Sequence, residues 1–528
     1  MNDGPSNVSA DNSLMTGRVA DLIIVGTGIG GATLAYALRN TGLRILLIER
    51  GPHLPREAAN WDVNAVFRQF RYRTSESWED WRGKSFRPEM HYFVGGNSKF
   101  FGGVMCRLRA RDFQQSAYGE GISPGWPLSY EEIEPYYGLA EMIYGVHGEV
   151  NTSDPTEPPH STSYPFPPLG HEPAIGQVAS SLASLGLHPF EPPVAVHYGA
   201  GGACIRCSTC DGFPCRVDGK GDAEICCVRP ALDSSQVSLL TETLVTRVLT
   251  DEAGTRAVGV EVARDGKRQV IYGGSVVLAC GAVNSAALLL RSISPSHPDG
   301  LANSSGLVGR NYMQHTCSIL MAVGMRRNRT KFQKTLAVND YYFGDEAYPH
   351  SMGGIQTIGK IQADMLAVGV GRLAPKGVRS LLAGRSTDWL VMTEDIPQEA
   401  NRVVLASSGK IRVSWRPTNM DSHRALVRRA KRMLHSAGYP VIVSTLLGVE
   451  SNPHQCGTAR FGEDPSSSVL DSLCRSRDVK GLLVVDASFF PSSSAVNPAL
   501  TIAAQALRVS AQVFGASLRD LEPPPPGG

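Results

Sequence analysis

Apolar residues in this chain fall into short blocks whose period keeps changing, which predicts a mixed α/β fold. DLIIVG, residues 21–26, is a β-branched run that stops at glycine and predicts a short buried strand. ATLAYALRNTG then has helical spacing, and RILLIE, residues 44–49, predicts a second apolar strand ending in an acid. Farther along, SILMAVGM, MLAVGVG and RVVLAS predict antiparallel strands, and HRALVRRAKRMLHSAG, residues 423–438, predicts a helix. No stretch offers eighteen uninterrupted apolar residues, so no membrane insertion is expected. Residues 1–17 carry no basic segment followed by an apolar one and predict a disordered leader. Residues 516–528, ending EPPPPGG, predict a disordered tail.

The first strand, helix and second strand form a βαβ unit around G-x-G-x-x-G. Gly26 permits the tight turn, Gly28 lets backbone approach a pyrophosphate, and Gly31 allows the helix to pack closely on the strand. The helix N-terminus then presents unpaired N–H groups and partial positive charge to the phosphates. Glu49, at the end of the second strand, can bond both ribose hydroxyls and disfavours a 2′-phosphate. The unit predicts an adenine dinucleotide, FAD or NAD.

Composition narrows the partners. Lys+Arg of 51 against Asp+Glu of 49 leaves a net charge of +2, which gives no reason to expect nucleic acid or an anionic membrane. A length of 528 residues suggests two or three domains. Eleven cysteines without an export signal favour a reducing, cytoplasmic location.

Four later segments separate FAD from NAD. Residues 451–471 read SNPHQCGTARFGEDPSSSVLD, and residues 482–508 read LLVVDASFFPSSSAVNPALTIAAQALR. Residues 92–109 read YFVGGNSKFFGGVMCRLR, and residues 276–292 read VVLACGAVNSAALLLRS. Taken with the βαβ unit, these resemble the glucose–methanol–choline (GMC) oxidoreductase family. GWPLSYEEIEPYYGLAEMIYGVHG, SGLVGRNYMQH and a cysteine-rich loop resemble its bacterial branch acting on sugars, glycosides and aminoglycosides.

The resemblance implies a Rossmann-like FAD-binding domain (the GMC fold) and a second α+β substrate domain built on an antiparallel sheet. The first would comprise residues 18–160, 228–315 and 450–515, and the second residues 161–227 and 316–449. It implies cofactor contacts at Gly95, Gly96, Asn97 and Ser98 of the flavin loop, and at Val245, Asp486, Asn497 and Pro498. Family members that hold FAD covalently have a histidine after the Gly-Gly pair. Here Asn97-Ser98-Lys99-Phe100-Phe101 follows it, which implies non-covalent FAD. NTSDPTEPPHSTSYPFPPLG, residues 151–170, reads as a linker or lid.

Oxidising CH–OH requires removing the hydroxyl proton as a hydride leaves carbon for flavin N5. A neutral imidazole suits that proton transfer, since its unperturbed pKa is about 6.5. The resemblance places His454 at the reactive flavin edge as this base, with Asn497 as its partner on the substrate oxygen. The substrate would be a small alcohol, and the electron acceptor O₂ or another carrier. Alternatives on the same fold are a non-redox lyase and a sugar dehydrogenase subunit that passes electrons through an iron–sulfur cluster. For His91 and His315, lining the pocket and a plain structural role stay open. Arg107 and Arg109 divide likewise between a salt bridge and a flavin contact.

CIRCSTCDGFPC places Cys204, Cys207, Cys210 and Cys215 near iron–sulfur spacing, with the last gap one residue wide of the bacterial ferredoxin run. The same four thiols are compatible with zinc, or with a loop held by free thiols or one disulfide.

Overall fold

The β-branched run at residues 22–25 is buried on both faces, as a central parallel strand must be. The computed structural model describes residues 18–150, 152–367 and 373–521. It opens with strand β1 (Arg18–Val25), helix α1 (Ile29–Leu38) and strand β2 (Ile45–Ile48), with β2 parallel to β1 and Leu22 opposite Ile45. An added Cβ on Gly26, at φ +102°, would run into the Ala279 carbonyl, and one on Gly31 would run into that of Gly26. Both glycines are therefore required by backbone approach.

Helix α2 (Tyr130–Ile143) starts at a capping box, in which the Glu132 N–H donates to Ser129 Oγ and the Ser129 N–H to the Glu132 carboxylate. Helix α3 (Pro173–Ser184) follows. Strand β3 (Val237–Leu240) extends the first sheet beside β2, and β4 (Leu244–Thr250), β5 (Ala257–Arg264) and β6 (Lys267–Leu278) form an antiparallel meander on its other side. The order is β4-β5-β6-β1-β2-β3. Helix α4 (Ala282–Arg291) leaves the C-terminal end of β6.

A second sheet is antiparallel throughout. Its strands are β7 (Thr316–Val323), β8 (Ala337–Val338), β9 (Gly354–Thr357), β10 (Ser386–Thr393) and β11 (Val441–Leu446), in the order β8-β9-β10-β7-β11. Helix α5 (Met420–Ser436) buries Ser422, Ala425, Leu426, Arg429, Ala430 and Met433, a stripe at three- and four-residue spacing. That stripe and α3 share one core with β7, β9 and β10, separate from the core of the first sheet. Strand β12 (Leu482–Val484) then returns to pair in parallel with the end of β6, and helix α6 (Ala499–Phe514) packs on α1 and α2.

The architecture is the expected α/β one, with four local differences. Of MLAVGVG, residues 365–371, Met365 and Leu366 end a short helix (Ala363–Leu366) instead of starting a strand, and residues 368–372 lie outside the described residues. The RVVLAS strand, Arg402–Leu405, is antiparallel as expected but sits in a separate four-stranded sheet with Ile411–Ser414, Trp78–Asp80 and Ser85–Phe86. The proline-rich segment at 151–170 is fastened to the body by buried ions. Arg109 pairs with Asp154 at 2.8 Å, and Arg107, itself paired with Glu134 and Glu141, donates to the Pro159 carbonyl. At the C-terminal end, Leu518–Leu521 forms a 3-10 turn and buries Leu521 in the main core, since one large apolar side chain suffices to anchor it. The leader at 1–17 and residues 522–528 lie outside the described residues. No helix among the described residues is long and apolar enough to cross a membrane.

Candidate active site

A deep cleft opens where the C-terminal ends of β1 and β6 meet the N-termini of α1 and α6. Its first wall is the glycine-rich turn. Gly26, Thr27, Gly28 and Ile29 line it, and α1 begins at Gly28 with no side chain capping its first N–H groups. A Cβ added to Gly28 would meet nothing within 4 Å, so the space above this turn is open for a pyrophosphate. Gly31 lies one turn into the helix and serves packing, away from the cleft lining.

Glu49 lines the same cleft, but its carboxylate is engaged from behind. Oε2 accepts from the Thr27 backbone N–H at 3.1 Å and hydroxyl at 2.7 Å, and Oε1 accepts from the Gly51 N–H at 3.0 Å. Burial raises its pKa, and these hydrogen bonds oppose the rise.

The second wall is the loop after Gly95. The Gly95 N–H donates to Thr27 Oγ1 at 3.1 Å, which ties this loop to the nucleotide turn. Gly96 faces Gly28 so closely that a Cβ on it would stand 3.3 Å from the Gly28 Cα. Asn97 and Ser98 line the cleft while their side chains hold the loop. Asn97 Oδ1 accepts from the His91 N–H, and Ser98 Oγ donates to the Gly95 carbonyl and accepts from the Ala223 N–H. His91 also lines the cleft, stacked on Phe100 with ring centroids 3.6 Å apart, and burial pushes its pKa down to about 4. Arg107 and Arg109 point away, into the ion pairs already described.

Val245, Asp486 and Pro498 complete the lining. Asp486 Oδ2 accepts from the Gly281 N–H and the Ser285 hydroxyl, and Oδ1 accepts from the N–H and hydroxyl of Ser488. This carboxylate thus clamps the β6–α4 turn to the C-terminal segment. Pro498 is the N-cap of α6, whose first turn reaches the cleft through Ile502. An open phosphate cradle, an acid at the ribose end and a helix N-terminus at the other fit an elongated dinucleotide such as FAD.

His454 and Asn497 stand at the edge of this cleft. Their neighbours Pro453, Gln455 and Pro498 line it, and their own side chains meet His315, just before β7, and Gln356 on β9. Asn497 Oδ1 accepts from Gln356 Nε2, on β9, at 3.2 Å, so Asn497 does not spend its side chain capping α6. The Nδ1 of His454 lies 3.0 Å from the Nδ1 of His315, and the two rings meet edge to face at 84°. A two-residue antiparallel ladder causes this meeting. Met313 pairs with Cys456 and Gln314 with Gln455, so the next position in register sets His315 opposite His454. Asn452 braces both, accepting from the His454 N–H and donating to the His315 carbonyl. Burial pushes His315 down to about 4 and, with His315 adding to it, His454 to about 3, so both rings are neutral at pH 7.

Sequence reasoning named His454 and Asn497 but missed the residues behind them: Gln356, Asn452 and the engagement of His315. An alternating strand pattern around Gln356 and the short SGLVGRNYMQH segment were the only signals, and neither specifies a partner across the fold.

Cys204, Cys207, Cys210 and Cys215 are free thiols. Cys210 accepts from Lys334 Nζ at 3.7 Å, and Cys207 accepts from the Thr209 hydroxyl at 3.4 Å. Among the described residues no three His, Cys, Asp or Glu side chains are grouped so that they could hold a metal ion.

Comparison with known proteins bears on this site. Residues 195–317 and 397–506 match the two family models of GMC oxidoreductases, and residues 24–99 match an NAD(P)-binding Rossmann-like domain. A 6‴-hydroxyparomomycin C oxidase of Streptomyces lividus is 30% identical over 93% of this chain and 91% of its own. A paromamine 6′-oxidase of Streptomyces fradiae is 29% identical over 97% and 94%. Among solved structures, a formate oxidase of Aspergillus oryzae RIB40 superposes with a TM-score of 0.65 at 15% identity, over 95% of this chain and 99% of its own.

Proposed function

Since the chain belongs to the GMC oxidoreductase family and is an FAD-dependent enzyme acting on CH–OH donors, we propose that it oxidises a hydroxyl of a sugar, glycoside, aminoglycoside or related polyol to a carbonyl, with His454 as general base. The observation that carries this reading is a neutral imidazole at position 454, between Pro453 and Gln455, which line the cleft together with Pro498 at the start of α6. FAD, when bound, supplies the hydride acceptor.

The protein's own groups would do the rest. Gly26, Gly28 and the α1 N-terminus would hold the pyrophosphate, Glu49 the ribose, and the Gly95–Ser98 loop the flavin. His454 would take the hydroxyl proton, a service worth roughly 10²–10⁴ in rate. Because Gln356 engages Oδ1 of Asn497, the Asn497 Nδ2 is left to donate to the substrate oxygen as charge develops there. We read the first sheet with its helices as the FAD-binding body and the second sheet as the substrate side. The aminoglycoside oxidases among the relatives support the substrate class.

The test is anaerobic: polyols, sugars and aminoglycosides are screened by flavin absorbance, and His454→Ala is then compared on any substrate found. Flavin reduction should slow by roughly two or more decades. An unaltered rate rejects His454 as the base. With no histidine following the Gly-Gly pair, FAD should leave the denatured protein entirely, and a yellow pellet would reject non-covalent binding.

A further inference from the structure

We propose that His315 is a positioning residue that locks His454 in the tautomer with its proton on Nδ1, leaving Nε2 as the free base. This rests on the reading of His454 above and adds what prepares it.

His315 Nε2 lies 2.8 Å from the carbonyl oxygen of Ser493. A carbonyl only accepts, so this nitrogen carries a hydrogen. In a neutral ring the other nitrogen, Nδ1, then has none and presents a lone pair. That lone pair faces His454 Nδ1 at 3.0 Å, so His454 must donate from Nδ1. A neutral His454 is therefore unprotonated at Nε2, which makes no hydrogen bond among the described residues, and the residue as a whole is only partly buried.

The opposite arrangement fails on physical grounds. A proton shared from His315 toward His454 would need either two lone pairs facing each other at Ser493 or a doubly protonated His315. His315 is 1% exposed, and burial disfavours its cation. The carbonyl that sets the sequence is itself held in place. The Asp395 N–H donates to Ser493 Oγ at 2.9 Å, and that hydroxyl donates back to the Asp395 carbonyl at 3.1 Å. Asp395 lies two residues past the end of β10, so the chain of bonds runs from the second sheet through Ser493 and His315 to His454.

In the reaction the substrate O–H bond breaks and an N–H bond forms at His454 Nε2. The C–H electron pair leaves as hydride to the cofactor, and C=O forms. His454 becomes an imidazolium whose Nδ1–H still donates to His315, a bond strengthened by the charge. With the tautomer reversed, Nε2 would already hold a proton and could accept none.

The test is ¹⁵N-histidine NMR of the FAD-loaded and FAD-free protein at neutral pH, with the His454 signals identified by their loss in His454→Asn. The expected result is a pyridine-type Nε2 and a protonated Nδ1 on His454. His315→Leu should shift His454 toward the Nε2-protonated form and slow flavin reduction on the order of tenfold to a hundredfold, within the roughly 10²–10⁴ range of base assistance. His315→Asn, which returns an acceptor near the position of Nδ1, should restore most of both. A protonated Nε2 in the unaltered protein overturns the proposal, as does a His315→Leu protein with unchanged tautomer and rate. If His315→Leu does not fold, the spectrum of the unaltered protein decides alone. Should His454→Ala reduce flavin normally, the base assignment fails, while the tautomer is still judged by the spectrum.

Discussion

The side-chain amide of Gln356 donates to Asn497 Oδ1 at 3.2 Å, so a strand of the second sheet orients an amide at the start of α6. Gln356→Leu removes that donor while keeping an apolar stem of similar length. Asn497 is then free to turn its oxygen toward the substrate, where it would repel a developing alkoxide. The loss of one such hydrogen bond is worth about 1 kcal/mol, so flavin reduction should fall roughly five- to tenfold. FAD content should not change. Anaerobic stopped-flow absorbance measures the first and the bound-flavin spectrum the second. An unchanged reduction rate would show that Asn497 needs no orientation.

Thr27 joins two walls of the cleft, since its hydroxyl donates to Glu49 and accepts from the Gly95 N–H. Thr27→Val keeps the shape and deletes both bonds, leaving a buried N–H unpaired. At roughly 1–3 kcal/mol for such a group, FAD affinity should weaken by about an order of magnitude or more. Titrating apoprotein with FAD and following flavin fluorescence gives the dissociation constant. Equal constants would mean that the two loops are held independently.

Arg107 is buried against Glu141 through two hydrogen bonds of 2.7 Å, and against Glu134 through one of 2.8 Å. Arg107→Met strands two carboxylates in a low-dielectric site, at a cost of roughly 3–5 kcal/mol. Urea unfolding should show that loss, and the segment around Pro159 should become open to proteolysis before the rest. A loss under 1 kcal/mol would mean that solvent reaches these carboxylates.

His423 sits behind β7 and β10, bonded to the hydroxyls of Ser318 at 2.8 Å and Thr393 at 3.0 Å. Burial, with Arg424 adding to it, lowers its pKa to about 4, against about 6.5 in an unfolded chain. Between those values the unfolded chain binds a proton that the folded one refuses, so this site's contribution to stability is lost as pH falls below about 6.5. His423→Gln keeps the hydrogen-bonding capacity but does not titrate. From pH 6.5 to 5 the unaltered protein should therefore lose about 1.6 kcal/mol more than the variant. Other buried ionisable groups contribute equally to both proteins and cancel. Parallel profiles in urea titrations would refute the assignment.

These cases separate what could be read from sequence from what could not. The βαβ unit was readable because its signals are local. A β-branched run, a glycine turn and a helical period all act within about thirty residues. His454 and Asn497 were readable only through resemblance to a family. The contact between His454 and His315 was not readable at all, because 139 residues separate them and a ladder of two residue pairs sets their register. Arg107 and Arg109 were ambiguous for a similar reason. Their carboxylate partners at 134, 141, 154 and 157 lie on α2 and on a proline-rich strap whose path no periodicity describes. Met365 and Leu366, at the start of MLAVGVG, misled because a short apolar run fits a strand or a helical turn equally well.

The pairing of β12 with β6, and the grip of Asp486 on Gly281, bear on biosynthesis. The glycine-rich turn at residues 26–31 is synthesised long before the segment beyond residue 480, whose Asp486 and Pro498 complete the cleft lining. Until then the nascent cradle stays open along one side, and the histidine at 315 waits without its companion. A chain halted before residue 482 would lack both the strand that docks on β6 and the carboxylate that grips Gly281, so this side of the cleft is complete only once that segment has emerged.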